Sequence, residues 1–197
     1  MTLNIPGHRD LHKIVILNPK GGSGKTTLAM NLAGYFASLG KPAALMDFDP
    51  QGSSIRWLGK RPPTHRPIYG VAAYEKKMNM TRSFQLRIPQ EIRYLVVDTP
   101  AAITTAQLTE FTPGAHAILV PVLPSAIDIH AASRLIADLL LVAKVSRRMG
   151  RLGVVANRFP GQKLAWDAAN LRVKNLSAAN ALLRTPYRSG FEVRGLT

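Results

Sequence analysis

The chain has 197 residues, 46% of them hydrophobic, and carries 26 Lys and Arg against 11 Asp and Glu, a net charge of +15. That length can bury one core of ordinary domain size, and the charge points to a polyanionic partner. With no cysteine in the sequence, disulfides, thiolate zinc sites and cysteine-held iron–sulfur clusters are excluded.

The first residues, MTLNIPGHRDLHK, lack the apolar centre of a secretory signal, and no run of about 18 apolar residues occurs. A cytoplasmic protein without a membrane span is expected. KIVILN (Lys13–Asn18) opens a series of short apolar runs and leads into a glycine-rich loop. Thr26–Leu39 has helical apolar spacing and stops at Gly40. AALMDF (Ala43–Phe48) is the second run, followed by KRPPTHRP (Lys60–Pro67), a basic and Pro-rich loop. YLVVD (Tyr94–Asp98) and AILVPV (Ala117–Val122) are the third and fourth runs. Ser125–Met149 is expected to be helix, with Ser125 as N-cap, Asp128 three residues on and Gly150 at its end. LGVVAN (Leu152–Asn157) is the fifth run. Lys163–Leu183 could form a further helix, and TPYRSGFEVRGLT carries no clear pattern.

The runs are mostly continuous rather than alternating, as expected of parallel strands covered on both faces. Their alternation with helices predicts a single α/β domain over residues 1–197, a mostly parallel twisted sheet flanked by helices. Its core spans 13–157, and a basic segment occupies 158–197. The charge surplus is uneven. Residues 1–143 hold 15 basic and 9 acidic side chains, whereas residues 144–197 hold 11 basic residues against Asp167 and Glu192 alone.

Ligands of open parallel sheets bind at the carboxyl ends of the strands. Here those ends carry the glycine loop, MDFDPQG, VVDTPA and VAN, which argues for one composite site along one sheet edge. In NPKGGSGKTT (Asn18–Thr27), Gly21, Gly22 and Gly24 let backbone amides surround phosphate oxygens. The helix starting near Lys25 adds its positive end. Lys25 would neutralise the β- and γ-phosphates, and Thr26 would coordinate magnesium. The expected nucleotide-binding residues are therefore Gly21, Gly22, Ser23, Gly24, Lys25, Thr26 and Thr27. Asp98 has the placement of a carboxylate that holds magnesium. Asp47 and Asp49, two apart, would face one side of an extended segment, one supporting the metal and the other orienting water.

With these motifs assembled, the chain resembles the ParA/MinD family of deviant Walker A ATPases, and its small ParA-type members most. KGGSGKTT is similar to the family loop, MDFDPQGS to its second motif, VVDTPA to its switch II segment and VPVLPSAID to its later strand and turn. The resemblance implies a P-loop NTPase fold, ATP and magnesium as ligands, and ATP hydrolysis. It implies that Lys20, the extra lysine after Pro19, reaches the phosphates of the other subunit in an ATP-bound homodimer. It further implies that Asp49 positions the attacking water, that Asp47 and Asp98 serve magnesium, and that Asn157 reads the adenine edge.

ParA-type members bind nonspecific DNA as ATP dimers and release it on hydrolysis stimulated by a partner. They thereby distribute a plasmid, chromosome region or protein body over the nucleoid. An adaptor with a basic, disordered N-terminus is the implied partner. Candidate DNA contacts are Lys144, Arg147, Arg148, Arg151, Arg172, Lys174, Arg184, Arg188 and Arg194. The family usually continues through a last strand and helix beyond the segment similar to TPYRSGFEVRGLT. A MinD-like membrane ATPase is the nearest alternative, but GFEVRGLT is too short and irregular for an amphipathic anchor. A P-loop metabolic ligase or kinase would need a substrate pocket, and a non-enzymatic DNA-binding protein would not depend on Lys25.

Overall fold

The computed structural model describes residues 9–75, 81–145, 152–156, 166–167 and 172–173. Its frame is a six-stranded sheet, β1 (His12–Ile16), β2 (Ala43–Asp47), β3 (Ile68–Ala72), β4 (Tyr94–Asp98), β5 (Ala117–Val122) and β6 (Leu152–Ala156). The spatial order is β3-β2-β4-β1-β5-β6, and every pairing is parallel. All five expected strands form, with ends within two residues of the apolar runs.

Period-two alternation divides each central strand between two apolar layers. Val15 and Leu17, Ala44 and Met46, and Leu95 and Val97 face one layer, built with Leu108 and Phe111 and with Ala132, Leu135 and Leu139. Ile16, Leu45 and Val96 face the other, against Ala29 and Ala33. Those helical residues belong to α1 (Lys25–Ser38) on one face, and to α4 (Thr105–Phe111) and α5 (Ala126–Leu141) on the other. Two short helices complete the set, α2 (Ser53–Gly59) and α3 (Arg82–Gln85). Because both faces are covered, the strands read as unbroken apolar runs. Each fully buried Leu, Ile, Val or Met contributes roughly 1.5–3 kcal/mol to keeping the layers together.

Gly40 adopts φ +74 just after the end of α1. Ser125 caps α5 by accepting the Asp128 amide at 3.1 Å. Three features depart from expectation. The edge strand β3 gave no apolar run, because its residues Tyr69 and Gly70 are exposed and only Val71 is buried. Gly70 lets α2 pack close over the strand, since a β-carbon there would lie 2.8 Å from Leu58 Cδ1 and oblige that side chain to shift. Helix α5 ends at Leu141 rather than Met149. Lys144 takes φ 51, and this turn brings Ala143 and Val145 back against the core. Finally, Trp166–Asp167 (β7) and Arg172–Val173 (β8) pair antiparallel within the stretch read as a possible helix over Lys163–Leu183. A ladder between two short segments satisfies their backbone groups where a single helix was expected.

Candidate functional site

The glycine loop joins the carboxyl end of β1 to the N-terminus of α1, at the centre of the sheet edge. Gly22 and Gly24 have φ 75 and 90, left-handed values that a side chain would strain, and Gly24 is the N-cap of α1. Nothing lies within 4 Å of where β-carbons on Gly21 or Gly22 would sit, so the loop is open on that side. The loop is anchored from behind. Buried Asn18 donates to the Pro121 carbonyl on β5 at 2.6 Å, and its Oδ1 accepts the Lys20 amide at 2.8 Å. Buried Ser23 donates through Oγ to the Lys20 carbonyl at 3.2 Å.

Lys25, 7% exposed, donates through Nζ to the Lys20 carbonyl at 3.0 Å. Burial lowers its pKa, and the charges of Asp98 and Asp49 oppose that shift. The ammonium is thus held inside the loop, near two carboxylates.

The two strand-ending carboxylates lie side by side, Asp47 of β2 opposite Asp98 of β4 in the ladder. Their environments differ sharply. Asp47 Oδ1 accepts the Asp49 amide at 2.9 Å, and Oδ2 accepts the amides of Ser54 at 3.1 Å and Ile55 at 3.4 Å. It therefore ties the start of α2 to the end of β2. Asp98 is fully buried, yet neither of its oxygens has a hydrogen-bond partner. Burial, then the neighbouring Asp47 charge, pushes its carboxyl from 3.8 up to about 7. Thr26, Ser54 and Lys25 temper that shift without cancelling it. A buried carboxylate whose charge is only partly compensated, beside the Thr26 hydroxyl and the glycine loop, fits a divalent cation. Asp49 is half-buried on the rim, its Oδ1 accepting the Gln51 amide at 2.9 Å.

Lys20 stands at the mouth of the loop, its side chain 39% exposed, with Nζ 3.9 Å from Asp128 Oδ1 at the start of α5. The sequence reading missed this tether, although Asp128 was visible as a first-turn acid. It also missed Thr99, whose hydroxyl donates to the Ile16 carbonyl at 2.7 Å. Ala102, held at φ 56, donates its amide to the Pro19 carbonyl at 2.8 Å. These bonds strap the segment after Asp98 to the end of β1 and to the glycine loop.

The structure brings Lys20, the Gly21–Thr27 loop, Asp47, Asp49 and Asp98 to one edge. Asn157, Arg147, Arg148, Arg151, Lys174, Arg184, Arg188 and Arg194 lie outside the described residues. Lys144 is exposed beyond the end of α5, and Arg172 is placed only as part of the β8 backbone.

Comparison with known proteins bears on the family and the fold. A family model described as the CobQ/CobB/MinD/ParA nucleotide binding domain matches residues 14–183. The Maintenance of carboxysome distribution protein A of Gloeobacter kilaueensis is 30% identical over 177 residues, 87% of this chain and 76% of that protein. The Chromosome-partitioning ATPase Soj of Thermus thermophilus is 49% identical over 59 residues, 30% of this chain and 23% of that protein's length. Among solved structures, the pNOB8 ParA bound to nonspecific DNA superposes with a TM-score of 0.57 at 18% identity. That match covers 76% of this chain and 69% of the other, and the likeness is one of fold.

Proposed function

The chain belongs to the CobQ/CobB/MinD/ParA nucleotide-binding family, and on that premise we propose that it is a ParA-type ATPase. In this reading it is one domain that binds ATP, pairs with a second copy, engages nonspecific DNA and lets go after hydrolysis stimulated by an adaptor. The cycle would distribute a cargo over the nucleoid, in the cytoplasm. The observation that carries the reading is the pairing of the open glycine loop with Asp98, a buried carboxylate that receives no backbone amide and faces Lys25 and the Thr26 hydroxyl.

The residues divide the work by their surroundings. The loop amides and the N-terminus of α1 would hold the phosphates, and Lys25 would exchange its bond to the Lys20 carbonyl for one to a phosphate. Thr26 and Asp98, backed by Asp47, would hold magnesium, which neutralises phosphate charge. Asp49, on the solvent rim, would orient the attacking water. Lys20 would leave Asp128 to reach the phosphates of the second copy. That exchange is cheap, because a half-exposed ion pair contributes under about 1 kcal/mol. Similarity to a chromosome-partitioning ATPase and to a carboxysome distribution protein supports the choice of a partition or distribution ATPase over a metabolic enzyme.

Calorimetric titration with ATP and magnesium tests the reading at its centre. Lys25→Ala should abolish binding, because the phosphates lose their main counter-charge. Equal affinity in the wild type and the variant would remove the P-loop assignment.

A further inference from the structure

The turn that presents Asp49 rests on a side chain with no part in the site above. Gly52 closes that turn, its amide donating to the Asp49 carbonyl at 2.8 Å, and takes φ 60 as the N-cap of α2. A β-carbon on Gly52 would lie 2.6 Å from Tyr74 Oη, 2.8 Å from Cζ and 3.1 Å from Cε1. The Tyr74 ring is therefore seated directly against the backbone of the turn. The direction of the Asp49 carboxylate follows that backbone, because its Oδ1 accepts the Gln51 amide within the same turn.

Tyr74 is in turn held in place. Its amide donates to the Asp47 carbonyl at 3.1 Å, just past the last residues of the β2–β3 ladder. Helix α3 grips the carbonyls around it. Arg82 donates to Ala73 and, at 3.3 Å, to Glu75, while Gln85 donates to Glu75 and, at 3.4 Å, to Ala72. The Arg82 guanidinium also lies 5.8 Å from the centre of the Phe48 ring, within range of a cation–π contact. Phe48 stands between Asp47 and Asp49 and is buried edge-on against Phe111 at 4.9 Å. The contacts close a circuit from Asp49 through Gly52, Tyr74 and Arg82 back to Phe48.

We propose that Tyr74, clamped by Arg82 and Gln85, is a positioning residue for the Asp49 carboxylate and so sets the rate of hydrolysis without contributing to nucleotide affinity. The inference rests on the reading that Asp49 orients the attacking water. Geometry of that kind is sensitive, since a misplacement of about 1 Å can cost on the order of a hundredfold in rate. The phosphate-binding groups are separate from the circuit. They lie on the loop between β1 and α1, whereas Tyr74 touches the turn between β2 and α2. A tyrosine that merely filled space there would change stability and leave turnover at saturating ATP unaltered.

The test measures single-turnover hydrolysis at saturating ATP and magnesium, with ATP affinity by calorimetry, on the full chain. Tyr74→Ala should slow hydrolysis on the order of tenfold and leave affinity within about twofold of wild type. Tyr74→Phe, which keeps the ring on Gly52, should restore most of the rate. In an Asp49→Ala background, Tyr74→Ala should cost nothing further, because both substitutions act through one group. The same loss in both backgrounds, or a fall in affinity as large as the fall in rate, would overturn the inference. Slow hydrolysis in Asp49→Ala with a wild-type rate in Tyr74→Ala would also overturn it, and leave the role of Asp49 standing. Unchanged hydrolysis in Asp49→Ala would remove that role and this inference with it. If Tyr74→Ala unfolds, Arg82→Gln loosens the clamp from an exposed position. It should slow hydrolysis about threefold at unchanged affinity, and a wild-type rate would refute the clamp.

Discussion

Replacing Asp98 by asparagine removes one charge from the floor of the site and leaves its shape almost intact. In the folded chain the carboxyl titrates at about 7 instead of 3.8. For an acid whose folded pKa is raised, the stability contributed by the bound proton is complete below about pH 4 and is lost as pH rises through 7. Three units at 1.36 kcal/mol each place the cost of the buried charge near ~4 kcal/mol above neutrality, as an upper bound. Asparagine avoids that cost, but Lys25 loses a charge that favours its ammonium. A net gain of about 2 kcal/mol at pH 8 is therefore expected, or on the order of 5 °C in Tm. At pH 5 the gain should fall below about 1 kcal/mol. Urea unfolding in EDTA without nucleotide, from pH 5 to 8.5, reads this directly. A variant less stable than wild type at pH 8, or a gain that does not change with pH, would refute the reasoning. The same substitution should abolish magnesium-dependent ATP hydrolysis, so the site would be more stable and inactive.

The neighbouring carboxylate should respond with the opposite sign. Asp47→Ala strips the acceptor from the amides of Asp49, Ser54 and Ile55, and urea unfolding should register a loss of about 3 kcal/mol. Lys20→Gln should bind ATP normally yet stay monomeric in light scattering with ATP, whereas normal dimerisation would make Lys20 merely a partner of Asp128. Asp49→Ala should slow turnover at least tenfold while the ATP-bound dimer accumulates. Unchanged hydrolysis would move the positioning of water to the Asp98–Ala101 backbone.

The sequence by itself determined what depends on short-range pattern. Five continuous apolar runs required a parallel sheet covered on both faces, and the spacing of three glycines and Lys25 identified the phosphate loop. Gly40 and the Ser125–Asp128 pair marked helix ends, because capping is decided by a few adjacent residues. What escaped depends on partners distant along the chain. β3 forms because β2 offers it a ladder and α2 packs over Gly70, and neither condition leaves an apolar pattern. Helix α5 ends where Lys144 turns to φ 51 and Val145, partly buried, packs against the core, a contact made with residues distant along the chain.

Within the site, Asp47 and Asp98 look alike as strand-ending acids. Tertiary structure separates them by supplying three amides to one and none to the other. Lys20 meets Asp128 across 108 positions of sequence, and Arg66 meets Gly40 across 26. Electrostatic environment is a property of what the fold brings within a few ångströms, so motif chemistry was legible in the chain and its tuning was not.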